Sequence, residues 1–196
     1  QRIVGGFDYK PVMHCDKEGV VVKVLAISGS LRAASLNTAM LRALMHIAPR
    51  DIDIEMSPSI GELPLFNPDI EYPSPTAVVG FRQKIIAADA LIIASPEYAH
   101  GVTGAMKNAL DWMVGNESFV NKPVAVFNTS PRASHAHGAL IETLSVMSAH
   151  IVTNACVVLP IVGFGLTEVD VVAHPEISDT VRSALTALRE AVDRIV

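Results

Sequence analysis

The sequence predicts an α/β protein with a doubly wound, five-stranded parallel sheet in the order 2-1-3-4-5 and helices on both faces. Two observations support this class. Short runs rich in Val and Ile alternate along the chain with apolar stripes at helical spacing. Polar, turn-forming loops also follow three of these runs, where strands would end. Parallel strands joined by helices form right-handed crossovers, which places helices on both faces of the sheet.

The strands divide into two kinds. The run DIDIEM over 51–56 alternates, with Ile52, Ile54 and Met56 on one side and acids on the other, which suits an edge strand. We expect this second strand to lie outside the first. The other runs are almost continuously apolar, which is typical of central parallel strands covered on both faces. These runs are 20–27, 90–95, 123–130 and 151–159.

Five helices are predicted between and after the strands. The first is an apolar stripe from Leu36 to Met45 that Pro49 ends. Ser74 followed by Pro75 predicts the start of the second helix. The remaining three are apolar stripes over 105–113, 140–147 and 181–192.

Composition limits the classes of function. A chain of 196 residues fits one domain, expected over 20–196, with 1–19 as an N-terminal extension. The net charge of -5, without a run of Lys or Arg, argues against a nucleic-acid or membrane partner and favours a small molecule. A hydrophobic content of 50% predicts an oligomer. The two widely separated cysteines, Cys15 and Cys156, form no disulfide framework, so a cytoplasmic location is expected.

The first strand is followed by SGSLRAASLN, a loop that can bind an anion. Gly29 allows a sharp turn, and the amides at the start of the next helix have no intrahelical partners. Hydroxyls of Ser30 and Ser35, the guanidinium of Arg32 and the amide of Asn37 could add hydrogen bonds to a phosphate. In the alternative interpretation, Ser35 only caps the helix and Arg32 is exposed to solvent.

A dinucleotide site is a second possibility for this loop. GSLRAAS has only the first glycine of a GxGxxG motif, although Glu55 stands at the end of the second strand, where such folds bind a ribose. A P-loop is excluded, because GK[ST] is missing. A dinucleotide-binding dehydrogenase therefore remains an alternative.

The loop after the third strand begins the stretch PEYAHGVTGAMKNALDW. Tyr98 and the backbone around Ala99 could flank a flat ring. Four side chains of the following helix lie close together and indicate helix packing and a subunit surface. They are Lys107, Asn108, Asp111 and Trp112.

GSLRAASLN, PEYAHGVTGAMKNALDW and LPLFNPDIE (63–71) resemble signatures of the NAD(P)H-dependent FMN reductase family, flavodoxin-like proteins that include quinone and azo-dye reductases. The resemblance covers residues 21 to about 195. It implies bound FMN, NADPH or NADH as hydride donor, and ping-pong transfer through flavin N5 to a small-molecule acceptor such as FMN, a quinone or an azo compound. It also implies a homodimer or homotetramer. A non-enzymatic electron carrier or flavin-dependent sensor is the alternative.

The resemblance also assigns roles to residues, with no catalytic side chain because the flavin carries the chemistry. Those implied to bind the FMN phosphate are Ser30, Arg32, Ser35, Leu36 and Asn37. Those implied to line the isoalloxazine edge are Pro96, Glu97, Tyr98 and Ala99. Those implied to approach the pyrimidine side are Asn128, Thr129, Ser130, Pro131 and Arg132.

This chain departs from the family pattern at several positions. Ala99 replaces a common Asn, Thr103 replaces a common Pro, and the third loop reads TSPRASHAHGA where relatives are often glycine-rich. His135 and His137 in that loop have no third ligand at a suitable spacing, so no metal site is expected. His100 either faces a substrate or lies on the surface.

Overall fold

The structure, a computed structural model, describes residues 20–159 and 167–195. The predicted N-terminal extension lies outside these residues. The sheet is parallel and has the order β2-β1-β3-β6-β7, with β8 also paired to β6, so the predicted fold class and strand order are confirmed. The strands of this sheet are β1 (Val22–Ser28), β2 (Ile52–Met56), β3 (Ala90–Ala94), β6 (Pro123–Asn128), β7 (His150–Ile151) and β8 (Val157–Val158).

Six α-helices occur in the described part of the chain. They are α1 (Leu36–Ile47), α2 (Thr76–Ala87), α3 (Gly104–Val114), α4 (Ser134–Val146), α5 (Glu168–Ala173) and α6 (Pro175–Asp193). Five correspond to the predicted helices, whereas the short α5 was not predicted. The predicted start of α2 at Ser74 and Pro75 agrees with the structure to within one residue. Pro75 occupies the cap position, and the Ser74 hydroxyl donates to the Glu71 carbonyl at 2.6 Å.

The sheet separates two apolar cores. Along β1, Val24 and Ala26 face one core, whereas Leu25 and Ile27 face the other. Helices α1, α5 and α6 cover the first face, and α2, α3 and α4 cover the second. This burial on both faces explains why the strand reads as a continuous apolar run. No described helix combines the length and apolarity needed to cross a membrane.

The fifth strand differs from its prediction. The run 151–159 was expected to be one continuous strand of the central, doubly covered kind. It occupies the edge that the predicted strand order gives it, but it is split into β7 and β8 by a 3-10 turn over Thr153–Ala155. Its buried apolar residues are Val152, Ala155 and Leu159. Their spacing of three and four is that of a helical turn, which explains the break.

A small antiparallel hairpin was also not predicted. It consists of β4 (Glu97–Tyr98) and β5 (Gly101–Val102), directly after β3. Ala99 and His100 form its turn with φ angles of 50° and 59°. Two consecutive positive φ angles are those of a type I′ turn, whose usual residues are Asn and Gly. Because Ala99 and His100 stand where Asn and Gly are usual, the hairpin had no recognisable signal in the sequence.

Candidate functional site

A cavity of about 930 Å³ opens at the carboxyl ends of β1, β3 and β6, at the point where the strand order reverses. This is the position at which doubly wound sheets bind ligands. The cavity is formed by the three loops that follow these strands, together with the first turns of α1 and the start of α5. The three loops singled out from the sequence therefore meet at one site.

The first loop leaves β1 through Gly29. A Cβ atom at this position would lie 2.2 Å from Ser95 Oγ, so glycine lets the loops after β1 and β3 pack together. Ser35 Oγ accepts from the Thr38 amide at 3.3 Å and caps α1, and Ser30 Oγ accepts from the Arg32 amide at 3.4 Å. Both hydroxyls keep their own hydrogen to donate to a ligand.

Asn37 joins the first loop to the third. Its Oδ1 accepts a hydrogen bond from Thr129 Oγ1 at 3.1 Å, and both side chains are buried. The Asn37 amide nitrogen bonds no other described residue. Asn37 therefore fixes the relative position of two loops and retains two N–H donors for a ligand.

Thr103 joins the first loop to α3. Its Oγ1 donates to the Gly29 carbonyl at 2.8 Å and accepts from the Met106 amide at 3.2 Å, which caps α3. The proline that the resemblance leads us to expect at this position has no hydroxyl and could form neither bond. This substitution therefore adds a buried connection between two elements of the site.

Glu97 has a structural role in addition to lining the cavity. Helix α4 has no side-chain cap of its own at Ala133, and Glu97 Oε2 instead accepts from the Ala136 amide at 2.8 Å. The other oxygen, Oε1, is 3.1 Å from His100 Nδ1. The Ala136 hydrogen bond above all, and then His100, hold the pKa of Glu97 below its ordinary value. The ionised carboxylate thus links the hairpin to α4.

Asn128 organises the third loop. Its Oδ1 accepts from the Ser130 amide at 2.9 Å, and its Nδ2 donates to the Ala133 carbonyl at 3.0 Å. Both polar ends of the side chain are therefore used within the loop. Asn128 lines the cavity, but it shapes the backbone there instead of offering its amide to a ligand.

Most of the site residues expected from the resemblance line this cavity. Ala99, in the turn of the hairpin, and Pro131, in the third loop, are the two that do not. Those that do are Ser30, Arg32, Ser35, Leu36, Asn37, Pro96, Glu97, Tyr98, Asn128, Thr129, Ser130 and Arg132. Glu55, the ribose-binding candidate of a dinucleotide site, lies elsewhere and pairs with Lys84 at 2.6 Å.

Sequence reasoning missed several lining residues. Ala39 and Arg42 follow Ser35 at i+4 and i+7, so helical spacing could have placed them on the cavity side of α1. The contact between α1 and α5 brings Thr167 and Glu168 to the cavity, and no sequence signal indicated it. The other missed residues are Ala33, Ala34, Ser95 and Ala133.

The charges in the cavity favour an anion. Glu97 is engaged as described above, and Glu168 Oε1 pairs with His46 Nε2 at 2.5 Å. The cavity is also lined by Arg32, Arg42 and Arg132. None of these arginines forms an ion pair with a residue in 20–159 or 167–195. Guanidinium groups and free helix amides together suit a phosphate.

The histidines beside the cavity do not gather into a ligand set. The rings of His100 and His135 meet edge to face at 4.4 Å, whereas burial lowers the pKa of His137, whose Nδ1 has no hydrogen-bond partner among the described residues. Within those residues, no three His, Cys, Asp or Glu side chains are grouped so that they could bind a metal.

Fold and site together define a flavodoxin-like protein with an anion-binding cavity at its topological switch point. The sequence model of the NADPH-dependent FMN reductase family matches residues 22–165, and the chain belongs to this family.

Several relatives are similar to this chain. An NAD(P)H-dependent FMN reductase of Pseudomonas aeruginosa is 38% identical over 135 residues, which cover 66% of this chain and 72% of the relative. An NADPH:quinone oxidoreductase of Arabidopsis thaliana is 39% identical over 118 residues, or 56% and 58% of the two chains. The chain thus spans about three fifths of the length of the plant relative.

Solved structures agree on the fold. FerB, a flavoenzyme NAD(P)H:(acceptor) oxidoreductase from Paracoccus denitrificans, has a TM-score of 0.66 and 26% identity, covering 88% of this chain and 96% of FerB. An archaeal flavodoxin shares the fold at 14% identity and a TM-score of 0.57.

Proposed function

We propose that this protein is an FMN-dependent NAD(P)H oxidoreductase that reduces a small-molecule acceptor such as a quinone, free FMN or an azo compound. The observation that carries the proposal is the cavity at the switch point, which includes the amino end of α1 and is lined by arginines that form no ion pair with another described residue. Family membership and the names of the relatives, FMN reductase and quinone oxidoreductase, support it.

The residues present fit the phosphate of FMN. The amides at the start of α1 can surround a dianion, and Arg32 adds a charge-assisted hydrogen bond. The hydroxyls of Ser30 and Ser35 and the amide nitrogen of Asn37 are available donors. Ser35 does cap α1, but as a cap its hydroxyl only accepts a hydrogen bond. The hydroxyl hydrogen can therefore also be donated to the phosphate.

The second and third loops fit the isoalloxazine ring. Pro96 and the exposed Tyr98 line the side of the cavity formed by the hairpin, and the backbone of Thr129 and Ser130 lines the side formed by the third loop. Both walls are fixed by buried or shielded hydrogen bonds from Glu97 and Asn128. Such walls orient a flat ring and leave its open face to a nicotinamide or an acceptor.

The chemistry belongs mainly to the cofactor. Bound FMN would supply the hydride-transfer chemistry between the nicotinamide and the acceptor. The protein must anchor the phosphate, hold the ring, and place donors where negative charge grows. No nucleophilic side chain is needed for this role.

The carrier or sensor alternative is not favoured, because the relatives described above are named as an FMN reductase and a quinone oxidoreductase. The two functions separate in a direct assay. The isolated, FMN-loaded protein should oxidise NADPH or NADH in the presence of a quinone. If reduction always required a separate reductase, the carrier function would be correct. A colourless protein that binds NAD(H) without flavin would indicate a dehydrogenase.

We also propose that the protein acts as a homodimer, or as a homotetramer built from dimers, in the cytoplasm. The support for association is the segment 63–72, which hydrogen bonds hold against α3 and which exposes several large apolar side chains. These are Leu65, Phe66, Ile70 and Tyr72. The location follows from the low cysteine content.

The role of the first loop is tested by Arg32→Ala. Loss of a charged hydrogen bond should weaken FMN binding by about 1.5 to 3 kcal/mol, measured by quenching of flavin fluorescence in a titration of the apoprotein. Arg50→Ala, an exposed arginine beyond the end of α1, is the control and should leave the affinity unchanged. Equal FMN affinity in wild type and Arg32→Ala would remove Arg32 from the phosphate site.

A further inference from the structure

We propose that the cavity also accepts FAD, with Arg42 binding the second phosphate of the dinucleotide and α5 bordering the adenosine. The inference rests on the proposed function, in which the first loop binds the flavin phosphate. It is carried by a part of the cavity that the predicted FMN site does not use. This part, here termed the α1–α5 lobe, is lined by Ala39, Arg42, Thr167 and Glu168.

The lobe continues directly from the phosphate loop. Ser35, Ala39 and Arg42 lie at i, i+4 and i+7 and therefore on one side of α1, and all three line the cavity. Seven residues correspond to about 10 Å along a helix, and helical side chains lean towards the amino end, so the long Arg42 side chain can reach back towards the loop. The small side chain of Ala39 leaves the space between them open.

The cavity has more arginines than the binding of a single phosphate requires. The FMN phosphate is already served by Arg32 and the amides of α1. Arg42 is a second guanidinium, two helical turns further along, and it pairs with no acidic side chain among the described residues. A pyrophosphate, with charges on two adjacent phosphates, would engage both.

The opposite wall of the lobe can hold a ribose. Glu168 stands at the start of α5, and its side chain is partly exposed. One oxygen, Oε1, bonds His46 on α1, which fixes the carboxylate beside Arg42's helix. The other oxygen forms no hydrogen bond with another described residue and could accept hydrogen bonds from ribose hydroxyls, a role that carboxylates perform in dinucleotide sites. In FAD the second phosphate is followed by the ribose of the adenosine. The lobe places Arg42 for that phosphate and Glu168 for that ribose in the same order.

The test is a comparison of flavin affinities, measured by flavin fluorescence in titrations of apoprotein with FMN and with FAD. Wild type should bind both. Arg42→Gln should weaken FAD by about tenfold or more and leave FMN unchanged, because the lost contact is a charged hydrogen bond to the second phosphate only. Ala39→Met, which fills the lobe without removing a charge, should also weaken FAD selectively. Arg50→Gln is the matched control and should change neither affinity.

The outcomes separate this inference from the proposed function. If wild type binds neither flavin, the proposed function itself fails. If wild type binds FMN but not FAD, or if Arg42→Gln weakens both flavins equally, only the lobe assignment is overturned. A parallel titration with NADPH and NADH tests whether Arg42 instead binds the 2′-phosphate of NADPH, which NADH lacks. Selective loss of NADPH binding in Arg42→Gln, with FAD binding intact, would assign Arg42 to the 2′-phosphate and refute the proposal.

Discussion

Ala99 occupies a backbone conformation that its side chain disfavours. Its φ of 50° is left-handed, a region that costs a non-glycine residue roughly 1–2 kcal/mol, whereas asparagine adopts it more readily. The residue is exposed in the type I′ turn and does not line the cavity. Ala99→Asn should therefore raise the free energy of unfolding by about 1 kcal/mol, measured by urea denaturation.

The same substitution in a helix provides the control for Ala99. Ala139 is exposed within α4, where asparagine is a poorer helix former than alanine by about 0.5 kcal/mol. Ala139→Asn should therefore lower stability, so that one substitution has opposite signs at two exposed positions. A loss of stability at Ala99 as well would show that turn strain is not the controlling term.

Individual residues also show what the sequence could predict about the site. The position of Ser30, Arg32, Ser35 and Asn37 at the cavity was accessible to prediction, because a polar strand-to-helix turn has a known geometry. The engagement of Asn128 within its own loop was not accessible, because it depends on backbone groups that the fold brings together. The identity of a residue indicated where it lies, but not which of its atoms remain free.

At the scale of elements, Thr103 connects the first loop to α3. Thr103→Val keeps the shape of the side chain but removes the α3 cap and leaves the buried Gly29 carbonyl without this donor. We expect a loss of about 2 kcal/mol in the free energy of unfolding. Thr186→Val, on the exposed side of α6, is the control and should have little effect, because solvent can replace its single bond. If Thr103→Val loses no more stability than Thr186→Val, Thr103 does not connect the first loop to α3.

Glu97 connects the hairpin to α4, and this connection depends on pH. Because the pKa of Glu97 in the folded protein is below its ordinary 4.5, the ionised carboxylate stabilises the fold. The contribution is complete above about pH 4.5 and is lost as the pH falls through the folded pKa. Glu97→Gln should therefore be less stable than wild type at pH 7.

The difference in stability between wild type and Glu97→Gln should narrow below pH 4.5, as seen in thermal unfolding followed by circular dichroism. Glu142→Gln, an exposed change on α4, serves as control and should follow wild type at each pH. A difference that stays constant down to pH 3 would exclude Glu97 ionisation as the cause.

The order of elements was predictable, because strands covered on both faces and amphipathic helices have distinct periods. The elements that the sequence failed to predict are all short. β7, β8 and α5 contain two to six residues, too few for a period to be recognised. The hairpin was missed because its turn contains Ala99 and His100 instead of the usual Asn-Gly.

At the scale of the whole molecule, one apolar surface stays uncovered although it is rigidly held. The segment 63–72 is attached to α3 through the Pro64 carbonyl, which accepts from Trp112 Nε1 at 2.7 Å and from Asn108 Nδ2 at 3.0 Å. Yet Leu65 and Tyr72 on this segment are 83% and 82% exposed. An ordered segment that presents large apolar side chains to water is typical of a protein interface.

Leu65→Arg should therefore convert a dimer into a monomer, because a charge buried in an apolar interface has no partner there. The measurement is sedimentation velocity at micromolar protein concentration. Val169→Arg places the same charge on α5, at the opposite face of the sheet, where Val169 is 74% exposed. This control should remain dimeric. A wild type that sediments as a monomer, or a Leu65→Arg variant that stays dimeric, would show that the segment 63–72 does not form the interface.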